Sequence, residues 1–142
     1  EWHDYVLSAT VKKRRPLDLA PLAACQAGLK ASFDAFLAPF AAGRVAIWGA
    51  GHQALALVSL MELAPRIRYV VDSAPFKQGR FTPATHLPIV APERLADGEV
   101  DAVIVLAASY SDEVARILRE RHGNRFTVGV LKGNRLETVI AP

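Results

Sequence analysis

Cysteine is nearly absent: Cys25 is the only one in 142 residues. A lone thiol excludes an intrachain disulfide, and no His or Cys pair stands at metal-ligand spacing, so no metal site is expected. Both features agree with a reducing cytoplasm, which is the expected location. No apolar run approaches the roughly 20 residues of a membrane span, and nothing at the start reads as a secretory leader, so no membrane partner is expected. Charge of one sign is also scarce, with a formal net charge of +3. The basic run Lys12-Lys13-Arg14-Arg15 is local and reads as a solvated linker. Nucleic-acid binding calls for cations spread over one face with interleaved aromatics, and that pattern is missing. No Ser-His-Asp order and no paired carboxylates stand out, so no residue is assigned a catalytic role. The first residue is Glu1 rather than Met, which fits a piece of a longer polypeptide.

What is present is apolar patterning. Hydrophobic residues make up 51% of the chain, enough for a proper core. The pattern is organised around Arg44-Val45-Ala46-Ile47-Trp48-Gly49-Ala50-Gly51-His52-Gln53-Ala54. A buried strand runs directly into a glycine turn and then into an apolar helix, the front half of a βαβ nucleotide-binding unit. Gly49 permits a sharp reversal, and Gly51 lets backbone N–H groups approach an anion at the positive end of the helix. Ala54 takes the third position of the fingerprint and still allows close helix–sheet packing.

The remaining elements fall around this unit. Residues 1–42 read as a connector, with Trp2, Tyr5, Val6 and Leu7 apolar enough to dock on a neighbour. A helix follows from Pro21 to about Ala41, with Leu22, Cys25, Leu29, Phe33, Phe36, Leu37 and Phe40 on one stripe. On that stripe Cys25 reads as an inert core thiol. Residues 43–142 read as the main domain. Its strands are placed at Arg44–Trp48, Ile67–Val71, Ala102–Ala107 and Phe126–Val130, with a further short one around Thr138–Ile140. Helices are placed at His52–Leu63, apolar nearly all round and therefore well covered, and from the Ser109-x-x-Asp112 start signal to His122, stopped by Gly123. Residues Ser73 to Pro92 form a long proline-rich segment ending in a helical turn at Pro92–Leu95. The fold class is therefore α/β: a Rossmann-like parallel sheet of four to five strands with helices on both faces, preceded by a helical connector. The first strand sits at the centre, flanked by the second and third, and the switch point lies between first and third.

Ligands in such sheets bind beyond the carboxyl ends of the strands at the switch point. That brings Gly49, Gly51 and His52 near Ser109 and Tyr110. His52 can hydrogen-bond a ligand, and Tyr110 can stack on a base or simply pack. Asp72, at the end of the second strand, either accepts a ribose hydroxyl or caps the following turn. In the proline-rich segment, Lys77 and Arg80 flank Gly79, with His86 further on. They either meet phosphate oxygens or neutralise nearby acids as a solvated loop. His3 and His122 look incidental.

Gly49-Ala50-Gly51, Tyr69-Val70-Val71-Asp72, Pro75-x-Lys77-Gln78-Gly79-Arg80 and Pro83-x-Thr85-His86-x-Pro88-Ile89, taken in order and followed by Pro92, resemble the C-terminal domain of sugar C-methyltransferases. The resemblance covers roughly residues 43 to 135. It implies a Rossmann-like domain that helps hold a nucleotide-sugar substrate and is not catalytic alone. S-adenosylmethionine and the methyl-transfer machinery would belong to an upstream domain of the same polypeptide, so no cofactor is expected in this chain. The implied binding residues are Gly49, Gly51, His52, Asp72, Lys77, Arg80, His86, Ser109 and Tyr110. Two positions differ from the family's usual residues. Ala50 stands in a Gly-Tyr-Gly turn, and Ala108-Ser109 stand where Trp-Asn follows the third strand. Outside the resemblance, the glycine turn and Asp72 also fit an NAD(P)-binding domain of an oxidoreductase. A purely structural docking module is the third reading.

Overall fold

The computed structural model describes residues 9, 10, 12, 13 and 16–141. The N-terminal docking residues Trp2, Tyr5, Val6 and Leu7, with His3 and the arginines of the basic run, lie outside the described residues. In chain order the elements are α1 (Ala20–Leu37), β1 (Val45–Trp48), α2 (His52–Leu60), β2 (Ile67–Val71), β3 (Ile89–Val90), β4 (Ala102–Val105), α3 (Ser111–His122), β5 (Thr127–Lys132) and β6 (Arg135–Ile140). Short 3₁₀ turns at Ala64–Arg66, Pro92–Asp97 and Ala108–Tyr110 join them.

The sheet has six strands in the order β3-β2-β1-β4-β5-β6. β1 pairs in parallel with both β2 and β4, so the expected centre and flanks hold. This order is that of doubly wound dinucleotide-binding folds. All of the β1 and β4 residues are buried because helices cover both faces. The side chains alternate accordingly. Val45, Ile47, Ala102 and Ile104 join the α1 and α2 side of the core, while Ala46, Trp48, Val103 and Val105 join the α3 side with Val114, Leu118 and Phe126.

One strand goes beyond the expected four to five, and the last differs in length and direction. β3 is only two residues long and lies within the proline-rich segment, pairing in parallel with β2. β6 runs antiparallel to β5 and is longer than Thr138–Ile140. Lys132 pairs with Arg135, so a two-residue turn at Gly133 and Asn134 closes the hairpin, with Gly133 at φ +59°.

Three local expectations need correction. The α1 stripe meets the core only through its second half: Phe33, Phe36 and Leu37 are buried, while Leu22 is 64% exposed and Cys25 is exposed. Residues 20–28 are exposed, and Cys25 Sγ meets the Asn134 amide of the β5–β6 turn at 3.6 Å on the surface, so Cys25 is not a core thiol. α2 is less covered than its composition implies, with Leu60 63% exposed. It also ends at Leu60, and Glu62 turns out of the helix at φ +56°. Ser109 does not cap the third helix. It lies in the preceding 3₁₀ turn, and Ser111 Oγ accepts the Ala107 N–H at 3.1 Å instead.

The buried end of α1 lies directly on β5. A Cβ built at Gly129 would stand 2.7 Å from Cε2 of Phe36, so the ring occupies the space a side chain would take. Gly129→Val should therefore destabilise the fold by about 2 kcal/mol despite valine's preference for strands. A lower urea midpoint, with faster hydrogen exchange along α1, is the expected result. An unchanged midpoint would mean that the ring relocates freely.

Candidate functional site

The site grows out of the β1–α2 turn. Gly49 holds φ +117°, and its N–H donates to Val71 O at 2.8 Å, fastening the turn to the end of β2. A Cβ on Gly49 would lie 2.7 Å from Leu106 O, so the backbone just past β4 runs where a side chain would be. Gly51 takes the N-cap position in an extended conformation and offers no side-chain cap. The first hydrogen bond of α2 runs from Leu55 N–H to Gly51 O. The N–H groups of Gly51 and His52 therefore have no acceptor among the described residues and point out of the positive end of the helix.

Asp72 closes the floor. Its carboxylate is buried and already well supplied with donors. Oδ2 accepts the Ala50 N–H at 2.8 Å and the Lys77 ammonium at 3.0 Å, and Oδ1 accepts the Ala74 N–H at 2.9 Å. Of the two roles open to Asp72, the structure displays the turn-capping one. Burial pushes its pKa up, but the Ala74 N–H, the Lys77 ammonium and the Ala50 N–H together outweigh burial and hold it below the ordinary carboxyl value. Lys77 also donates to Ala50 O at 3.3 Å. One side chain from the proline-rich flap thus clasps both the glycine turn and the end of β2.

Above this floor lies a crevice of about 530 Å³ at the carboxyl ends of β1, β2 and β4. Gly49, Gly51, His52, Asp72, Lys77 and Tyr110 all border it. Its apolar wall consists of Trp48, Leu106, Ala107, Ala108 and Val114. The other sequence candidates sit elsewhere. Arg80 is exposed and its Nε donates to the Phe76 carbonyl at 2.8 Å, within the flap. His86 is exposed in the tight turn between Thr82 and Leu87, at φ +52°. Ser109 is exposed and does not border the crevice. Trp48, Gln53 and Val114 are lining residues that sequence reasoning did not select. Trp48 was legible as the last strand residue before the turn, whereas Val114 was assigned only to the core.

The flap itself is ordered by its own polar groups. Thr82 is 1% exposed, its Oγ1 accepts the Leu87 N–H at 2.9 Å, and it shares a 2.7 Å hydrogen bond with Thr85 Oγ1. Gly79 N–H donates to Ile89 O and Ile89 N–H to Arg80 O, fixing the flap onto β3. The segment between β2 and β3 thus contains turns where a dinucleotide-binding half usually carries a helix. Among the described residues no cluster of His, Cys, Asp or Glu could hold a metal ion, and no helix is long and apolar enough to cross a membrane.

Residues 27–130 match the family model described as the C-methyltransferase C-terminal domain. A C-methyltransferase, NovU, from Streptomyces niveus is 33% identical over 89 residues, covering 61% of this chain and 21% of the relative. The match thus spans about a fifth of that relative's length. Among solved structures, UDP-D-quinovosamine 4-dehydrogenase from Vibrio fischeri superposes with a TM-score of 0.51 at 18% identity, over 70% of this chain and 94% of that one. At that identity the likeness concerns the fold.

Proposed function

We propose, from the premise that this chain belongs to the C-methyltransferase C-terminal domain family, that its crevice binds the nucleotide-linked sugar on which an upstream methyltransferase domain of the same polypeptide acts. In this reading the chain methylates nothing alone. S-adenosylmethionine and the methyl-transfer groups belong to the upstream domain, and residues 1–42 connect the two. The observation that carries the reading is the meeting of unpartnered N–H groups at Gly51 and His52 with Lys77 across one crevice at the switch point. An anion seated there meets the helix's positive end on one side and an ammonium on the other. The apolar wall of Trp48 and Val114, with Tyr110 at the rim, suits the face of a base.

A hydride-transfer enzyme's NAD(P) domain is the second reading, favoured by the strand order and the glycine turn. Two observations weigh against it. The flap replaces the helix that would follow β2, and the Asp72 carboxylate already holds three donors. Calorimetric titration of the chain with UDP, thymidine diphosphate and NADH distinguishes the readings. A nucleoside diphosphate should bind, and Lys77→Ala should weaken it by about tenfold, the scale of one charge-assisted hydrogen bond. Tight NADH binding without diphosphate binding would transfer the chain to the oxidoreductase reading. Binding of neither would leave a docking module.

A further inference from the structure

The first half of α1 is a helix surface with too little charge to be left in water. Between Asp18 and Lys30 the chain holds no charged residue, and residues 20–28 are all exposed. Leu17, Leu19 and Leu22 are exposed with them. Leu22, Cys25 and Leu29 continue the stripe on which Phe33, Phe36 and Leu37 meet the core. At a rise of 1.5 Å per residue, the exposed part carries that stripe about 13 Å past its buried part. A helix on a protein surface sets charged and polar residues against water, whereas one that is apolar all round lies under another element.

Two findings identify the cover. The family model begins at residue 27, inside α1, so Ala20–Gln26 precede the recognised domain while sharing its first helix. The match to NovU takes in about a fifth of that relative's length. We propose that the first half of α1 is the seat of the upstream domain, so that one helix is held by a different domain at each end. The inference rests on the upstream domain invoked above and not on the ligand assigned to the crevice.

The seat has a direction. The far end of α1 lies at the amino edge of the sheet, where Arg66, just ahead of β2, donates to Leu37 O at 2.8 Å and Phe40 O at 2.7 Å. The first half lies at the opposite edge, because the Asn134 amide, in the turn that follows β5, donates to Cys25 Sγ at 3.6 Å. β5 runs parallel to β4, and β4 to β1, so that turn stands on the edge where the crevice opens. A domain seated on Leu19 and Leu22 is therefore brought to the crevice side of the sheet. The helix continues unbroken from there to Leu37, which fixes the seat to the sheet by a rigid element instead of a loose linker.

Cys25, exposed in this chain, reports on the cover. Its alkylation by iodoacetamide, read by peptide mass spectrometry, is compared between the 142-residue chain and the complete polypeptide. Cys25 should react about tenfold more slowly in the complete polypeptide, as a contact that opens only part of the time would give. Leu22→Lys in the complete polypeptide should restore most of the rate and lower methyl transfer. In the 142-residue chain the same substitution should leave the urea midpoint and diphosphate binding unchanged. Equal alkylation rates in chain and polypeptide overturn the inference. So does slow alkylation already in the 142-residue chain, which would give the cover to its own first residues. A dimer of that chain in sedimentation, dispersed by Leu22→Lys, would give the seat to a second copy and overturn it as well. The wild-type comparison needs no substitution, so it decides even where Leu22→Lys does not fold. Protection of Cys25 in a polypeptide whose crevice binds no diphosphate would keep the seat and end the crevice reading.

Discussion

Gly49→Ala should lower stability by about 3 kcal/mol, close to the upper end for a single backbone-strain or overpacking change. Two effects coincide. The residue holds φ +117°, a conformation that L side chains rarely adopt, and the added Cβ would stand 2.7 Å from the Leu106 carbonyl oxygen. That neighbour is backbone, immediately after β4 and tied to Trp48, and cannot rotate away as a flexible side chain would. Relief requires β1 and β4 to move apart at their carboxyl ends, where Leu106 N–H donates to Trp48 O at 2.9 Å. The apparent melting temperature should fall by about 10 °C, with diphosphate binding lost in the same variant. Gly51→Ala is the control. Its Cβ meets nothing within 4 Å and its φ is −90°, so the fold should be nearly unaffected. Equal losses in the two variants would refute the steric account.

Asp72→Ala should cost about 3 kcal/mol, because it strips the partner from a half-buried ammonium and from the Ala50 and Ala74 N–H groups at once. The carboxylate side chain is only 10% exposed, so water does little to replace it. The loss should depend on pH in one direction. Folding lowers the Asp72 pKa, so its contribution is fully present above the unfolded value of 3.8 and is lost as pH falls through the lower folded value. Urea unfolding of wild type and Asp72→Ala should therefore differ most at neutral pH and converge below about pH 4. A gap that persists undiminished at pH 2.5 would show that the charge is not what holds the flap.

The central βαβ unit and its flanks were legible because their signals are long and redundant. Ala102–Val105 has no polar residue to confuse its period, and the strand–glycine–helix succession at Val45–His52 admits few other conformations. β3 was not legible: two residues hemmed between Pro88 and Pro92 carry no period, and their pairing depends on β2 already being in place. The exposed half of α1 failed for another reason. Periodicity shows which residues share a side, not whether anything lies opposite. Within the site, composition located the cations of the flap but could not separate them. Lys77 and Arg80 are three positions apart, with Gly79 at φ +75° between them, so the turn sends one to the crevice and the other along the surface. Ala108, on the crevice wall at φ +50°, is neither glycine nor asparagine, so nothing in the sequence announces its conformation.

The bond from Leu136 N–H to Ser32 Oγ joins α1 to β6 across most of the chain. A ribosome must therefore finish β6 before α1 can acquire its permanent neighbour, although Phe33, Phe36 and Leu37 have been made long before. Until then those side chains wait without their β6 cover, and chaperones or premature association compete for them. Proteolytic loss of β6 would return α1 to that nascent condition, so damage to the last strand would be felt first in the helix made before any strand.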